Sequence, residues 1–152
     1  MFWQVGDYHK YARFIADAEK RHFIPRNLLA IVLFQASAYD PDIISGRGQH
    51  PLSVVGIAKL TPQQAHTLWG EQLADHSARH DAPTKRRDAH ASIMGAALIL
   101  DSKRERFGNW TAAILAYHTS DEIAAATMRD NAKLPVDGHK YVAQAQHQLR
   151  LQ

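Results

Sequence analysis

The chain has 152 residues, 45% hydrophobic and 22% charged, enough to bury a core as one domain over residues 1–152. With no cysteine it has no disulfide framework, no thiolate metal site and no cysteine nucleophile. A formal charge of +3 and a pI near 9.3 suit polyanionic surroundings such as wall polymer, membrane surface or nucleic acid, without demanding any of them.

At the N-terminus, MFWQVGDYHK lacks a basic region followed by an apolar segment, so no signal peptide is expected. No window approaches the roughly 18 apolar residues of a membrane span. Synthesis in the cytoplasm is expected, and delivery elsewhere would need other machinery.

Tyr8, Tyr11, Ala12, Ile15, Ala18 and His22 recur every three or four residues, predicting an amphipathic helix over Tyr8–Arg21 with Asp17, Glu19 and Lys20 facing water. Pro25 suits the first turn of the next helix. From Leu28 to Ala38 there is neither Gly nor Pro, and Leu28, Leu29, Ile31, Val32, Leu33 and Phe34 leave almost no polar face. A helix apolar on all sides is the central, buried one. Gln35, Ser37, Tyr39 and Asp40 then bring polar groups to its C-terminal mouth, where a cleft is expected to open. Pro41 is the expected stop.

Asp42–Val55, with two glycines, a proline and no period, predicts a loop. Thr61 and Pro62 predict an N-cap and a first-turn proline, for a helix ending at Gly70. His76–Pro83 is a polar connection. Thr84 is a second N-cap, opening a long helix over Lys85–Phe107 that Gly108 stops. Asn109 caps Trp110–His118, and Ser120 with Asp121 and Glu122 opens a short helix to about Arg129. Pro135 breaks it, and Asp137 caps a last helix carrying Tyr141, Val142, Ala145 and Leu149 on one face. With no repeat, no low-complexity tract and no convincing strand, the prediction is all-α: about seven helices around a buried central one.

Ten histidines raise the question of a metal. Only His76 and His80 stand four apart; no third ligand is evident and no HExxH occurs, so no metal and no cofactor are expected. No GxSxG elbow is present, and Gly46-Arg47-Gly48 is too short for a phosphate loop. Lys85-Arg86-Arg87, with Arg104 and Arg106, is the one candidate for a polyanion. At a helix start Lys85-Arg86-Arg87 oppose the dipole, and a solvated face is the ordinary reading, so nucleic acid is not the expected partner.

Three stretches share an order: Gln35-Ala36-Ser37 through Pro41; Ser45 through Gly56-Ile57-Ala58-Lys59 to Pro62; and Ala116-Tyr117-His118. They are flanked by Ile24-Pro25-Arg26-Asn27-Leu28-Leu29-Ala30 and by Leu134-Pro135 with Tyr141-Val142. Together, over about Tyr8–Gln148, they resemble the soluble lytic transglycosylases and goose-type lysozymes, which cut peptidoglycan. That family's pattern is Gln-Glu-Ser, then Gly-Leu-Met-Gln, then Ala-Tyr-Asn. The resemblance implies a lysozyme-like fold and a glycan groove drawing on Gln35, Ser37, Tyr39, Gly56, Lys59, Tyr117 and His118.

It also implies a catalytic position at residue 36, where the family's Glu protonates the glycosidic oxygen and then acts as base. Here Ala36 offers a methyl group. Losing a general acid slows such a reaction on the order of 100- to 10,000-fold. Lys59 stands where the pattern has Gln and His118 where it has Asn, and the Ser45–Gly56 loop is longer than usual. Natural retirement from catalysis and an engineered Glu-to-Ala change both account for Ala36; departures at three motifs favour the first. Asp40 and Asp42 are the nearest carboxylates, but Asp40 already lies four residues beyond Ala36 at the helix end, about 5 Å or more along the axis, too far to replace the missing carboxyl. The implied partners are peptidoglycan glycan strands or, by analogy with phage wall-penetration proteins, other virion subunits.

Overall fold

The computed structural model describes residues 1–45, 54–72 and 84–152. Helix α1 (Tyr8–Arg21) leads into α2 (Leu28–Ser37). Two-residue strands β1 (Ile44–Ser45) and β2 (Val54–Val55) follow, then α3 (Pro62–Trp69) and a 3-10 turn (Lys85–Arg87). Next come α4 (Ala89–Phe107), α5 (Trp110–His118), α6 (Asp121–Arg129), a second 3-10 turn (Asn131–Lys133) and α7 (Val136–Arg150). The chain is all-α, with seven helices among the described residues. None of those helices is long and apolar enough to cross a membrane.

Helix α2 is the centre, as its composition predicts: Leu28 to Leu33 are wholly buried. Tyr11, Ile15 and Ala18 of α1, Ile93, Ala96, Ala97 and Leu100 of α4, Ala113 and Ile114 of α5, and Ala145 of α7 join it in one apolar core. Alanines on α4 and α5 keep side chains short where these two helices pack.

Local signals set several boundaries. Thr61 and Gln64 form a reciprocal capping box at the start of α3, and left-handed Gly70 closes it. Asn109 accepts the Ala112 N–H at 2.8 Å, and Ser120 the Ile123 N–H at 3.1 Å, opening α5 and α6.

Other expectations are corrected. Pro25 lies outside α2, because Asn27 at φ +69° interrupts the helical backbone before Leu28. Pro41 does not end α2; Ala38 and Tyr39, at φ +52° and +66°, turn the chain first. Glu19 does not face water. It is 5% exposed and accepts the Leu29 N–H at 2.9 Å, so α1 supplies the acceptor that the first turn of α2 lacks.

The predicted helix over Lys85–Phe107 is two pieces. Thr84 caps the 3-10 turn, extended Asp88 breaks the ladder, and its carboxylate recaps α4 at the Ala91 N–H, 2.8 Å away. Helix α6 stops at extended Asp130 rather than at Pro135, which is the N-cap of α7, with Asp137 in the first turn. The Asp42–Val55 segment is not wholly loop, since Ile44 pairs with Val55 and Ser45 with Val54, antiparallel. Gly46-Arg47-Gly48 and His76–Pro83, with both spaced histidines, lie outside the described residues.

Candidate functional site

The C-terminal turn of α2 meets a tight turn over residues 56–59 and the junction of α5 with α6. Between them lies a cleft of about 390 Å³, lined also by Thr61, the N-cap of α3, by Gln64 of α3 and by Lys103 of α4. Ala36 forms part of its wall, and so do Lys59, Tyr117 and His118.

The turn owes its shape to Gly56. At φ +88° it occupies backbone space that side chains rarely enter, and a Cβ there would sit 1.9 Å from the Arg86 carbonyl oxygen. Its N–H donates to Ile43 at 2.8 Å, and Val55 and Leu60 exchange hydrogen bonds across the turn's base. Ser37 Oγ donates to the Ile57 carbonyl at 2.6 Å and Tyr117 Oη to the Ala58 carbonyl at 2.7 Å. Thus Ser37 and Tyr117 act as ties binding the turn to α2 and α5. Burial pushes the Tyr117 phenol up, so it stays a donor.

His118 stacks on Tyr141 of α7, ring centroids 4.2 Å apart. Its Nε2 meets Gln35 Oε1 at 2.9 Å, and Gln35 Nε2 donates to Gln144 Oε1 at 2.7 Å. Since the Gln35 oxygen must accept, His118 Nε2 is the protonated nitrogen. Burial, and then the Lys59 ammonium, push its pKa down to about 4, so the ring is neutral at pH 7. Gln35 stands behind this ring, off the cleft wall.

Tyr39 does not reach the cleft. Its left-handed backbone sends the ring into the core, where its hydroxyl donates to the carbonyls of Trp3 and Ala30. Asp40 and Asp42 are off the wall too, with Asp40 Oδ1 accepting the Asp42 N–H.

Sequence reasoning missed the carboxylates that do line the cleft, Asp121 and Glu122. Asp121 accepts from Lys103 and Arg106, each at 2.8 Å, while Glu122 is exposed. Both signal a helix N-terminus, and only the packing of α6 on α5, with Asp121 tied to α4 by its ion pairs, brings them to the cleft. Among the described residues no three His, Asp or Glu side chains form a cluster able to hold a metal ion.

The basic stretch at Lys85–Arg87 is not a uniform solvated face. Arg86 is 8% exposed and donates to the Leu60 carbonyl and to Thr84 Oγ1, and Glu71 accepts the Lys85 N–H.

A family profile described as Transglycosylase SLT domain matches residues 13–135. No curated protein and no solved structure matches the chain.

Proposed function

We propose, since the chain belongs to the transglycosylase SLT family, that it is a lysozyme-like peptidoglycan module which holds glycan strands without cutting them. The observation that carries this reading is Ala36 on the wall of the cleft. Cleavage of a glycosidic bond needs a carboxylic acid kept protonated by an apolar enclosure, and a methyl group has no proton to give. Neither acid on the wall is in such an enclosure: two cations engage Asp121, and Glu122 is exposed. Lys59 works against any replacement, because a nearby ammonium favours the ionised carboxylate.

The cleft keeps what binding requires. Thr61, Gln64, Ser120 and Thr119 offer hydroxyl and amide groups around an open space, and Lys59 adds a cation. With no general acid, bound glycan is retained intact. Delivery as part of a phage virion, after synthesis in the cytoplasm, is the origin that fits such a module by family analogy; finding the chain in purified particles is the check.

One observation favours a second reading, a transglycosylase whose catalytic glutamate was exchanged for Ala36. The ties from Ser37 and Tyr117 to the 56–59 turn are complete, as a working site would need. Lys59 and His118, which also depart from the family pattern, weigh against it. Retention on purified peptidoglycan sacculi, measured beside zymography, is the test: binding without clearing is expected, and clearing by the unaltered chain overturns the proposal. Ala36→Glu is expected to leave lysis weak, and strong lysis by that variant would establish the second reading.

A further inference from the structure

The cleft contains a cation that has no ion-pair partner among the described residues. Lys59 sits at the tip of the 56–59 turn in a left-handed conformation, φ +51°, with its N–H closed onto the Gly56 carbonyl at 3.0 Å. The carbonyls just before it are tied to Ser37 and Tyr117. The turn therefore holds the root of Lys59 in place, and its side chain lines the cleft alongside Ala36 and His118.

Among the described residues, no carboxylate lies within ion-pair distance of the Lys59 ammonium. Asp121 is engaged by Lys103 and Arg106, and Glu122, on the same wall, is exposed and makes no ion pair with Lys59. His118 is uncharged at neutral pH, so the imidazole neither adds positive charge nor balances it. An exposed ammonium rooted on a held turn, beside a methyl group and a neutral ring, is open to an anion brought in by the ligand.

We infer that Lys59 makes the cleft selective for saccharides bearing a carboxylate on or beside the sugar ring, with the ammonium pairing to that group. This rests on the glycan-holding reading above. In wall polymer the carboxylate has two sources: the lactyl group of strands stripped of peptide, or the stem peptide itself.

The full chain and its Lys59→Gln, Lys59→Glu and Lys59→Arg variants are to be compared for retention on three polymers: intact sacculi, amidase-stripped sacculi and chitin, which carries no carboxylate. Unaltered protein is expected to prefer either peptidoglycan form to chitin. Lys59→Gln loses about three- to fivefold on peptidoglycan, the range of a partly exposed ion pair, and Lys59→Glu loses more. Lys59→Arg keeps the charge and the binding, which separates lost charge from a damaged turn. The difference between Lys59 and Gln vanishes at about 1 M salt, where the screening length is roughly 3 Å.

A Lys59 effect that appears only after stripping assigns the lactyl carboxylate, which is amide-bound in intact strands. One that disappears with the peptide assigns the stem. One seen on both peptidoglycan polymers shows that either carboxylate pairs with Lys59, and all three support the inference. Equal sacculus retention by the Gln, Glu and unaltered forms overturns it and leaves the glycan reading standing, as does equal retention on chitin. No retention of the unaltered chain on any polymer overturns both.

Discussion

Two titratable side chains, half-buried His118 and buried Glu19, respond to desolvation with opposite signs. His118 falls from the usual 6.5 to about 4, so its neutral form is the one the fold accommodates. The stability it contributes is present above 6.5 and is lost as pH falls through 4. Glu19 rises from 4.5 to about 7, burial outweighing the backbone N–H groups it accepts. Its contribution is present below 4.5 and is lost as pH rises through 7. The two slopes oppose each other between 4.5 and 6.5. His118→Gln should therefore flatten the acid side of a melting-temperature profile, while Glu19→Gln flattens the neutral side. A profile unchanged in both variants would show that neither group titrates with folding.

At the scale of elements, the 56–59 turn has the strictest local requirement. Gly56→Ala combines a forbidden approach to the Arg86 carbonyl with φ +88°, and is expected to cost on the order of 2–4 kcal/mol. Urea denaturation measures it, and a loss below about 0.5 kcal/mol would mean that the turn relaxes freely. The same change should weaken sacculus retention, because the turn carries Lys59 and lies against the cleft. Helix α2 makes a related point. Its start is capped by the Glu19 carboxylate across the chain, and its end is turned by left-handed Ala38 and Tyr39. Neither device has a sequence signature: acceptors for helix N-termini are usually sought at the N-cap itself, and left-handed turns at Gly or Asn.

At the scale of the whole molecule, three of the arginines singled out for a polyanion are engaged by the fold itself. Arg86 is buried, Arg104 pairs with Asp101, and Arg106 with Asp121. Retention on double-stranded DNA is accordingly expected to be weak, with a shallow salt dependence, where several free phosphate contacts would give a steep one. A steep slope in a filter-binding titration would return nucleic acid to consideration.

The sequence by itself determined the helical class, the central place of Leu28–Leu33 and the caps of α3, α5 and α6. Each of these rests on interactions within a few residues, where apolar spacing and capping chemistry act without help from elsewhere. Ala36, Lys59, Tyr117 and His118 were legible as candidates through a motif order that resembles a family. Only the tertiary structure decided which of the candidates share a cleft. It took Tyr39 into the core, placed Gln35 behind His118 and brought Asp121 and Lys103 to the wall. The physical reason is that facing a cleft is a property of several elements at once, fixed by how α2, α4, α5 and α6 pack. A side chain's type cannot encode that packing, although it constrains the helix that carries it.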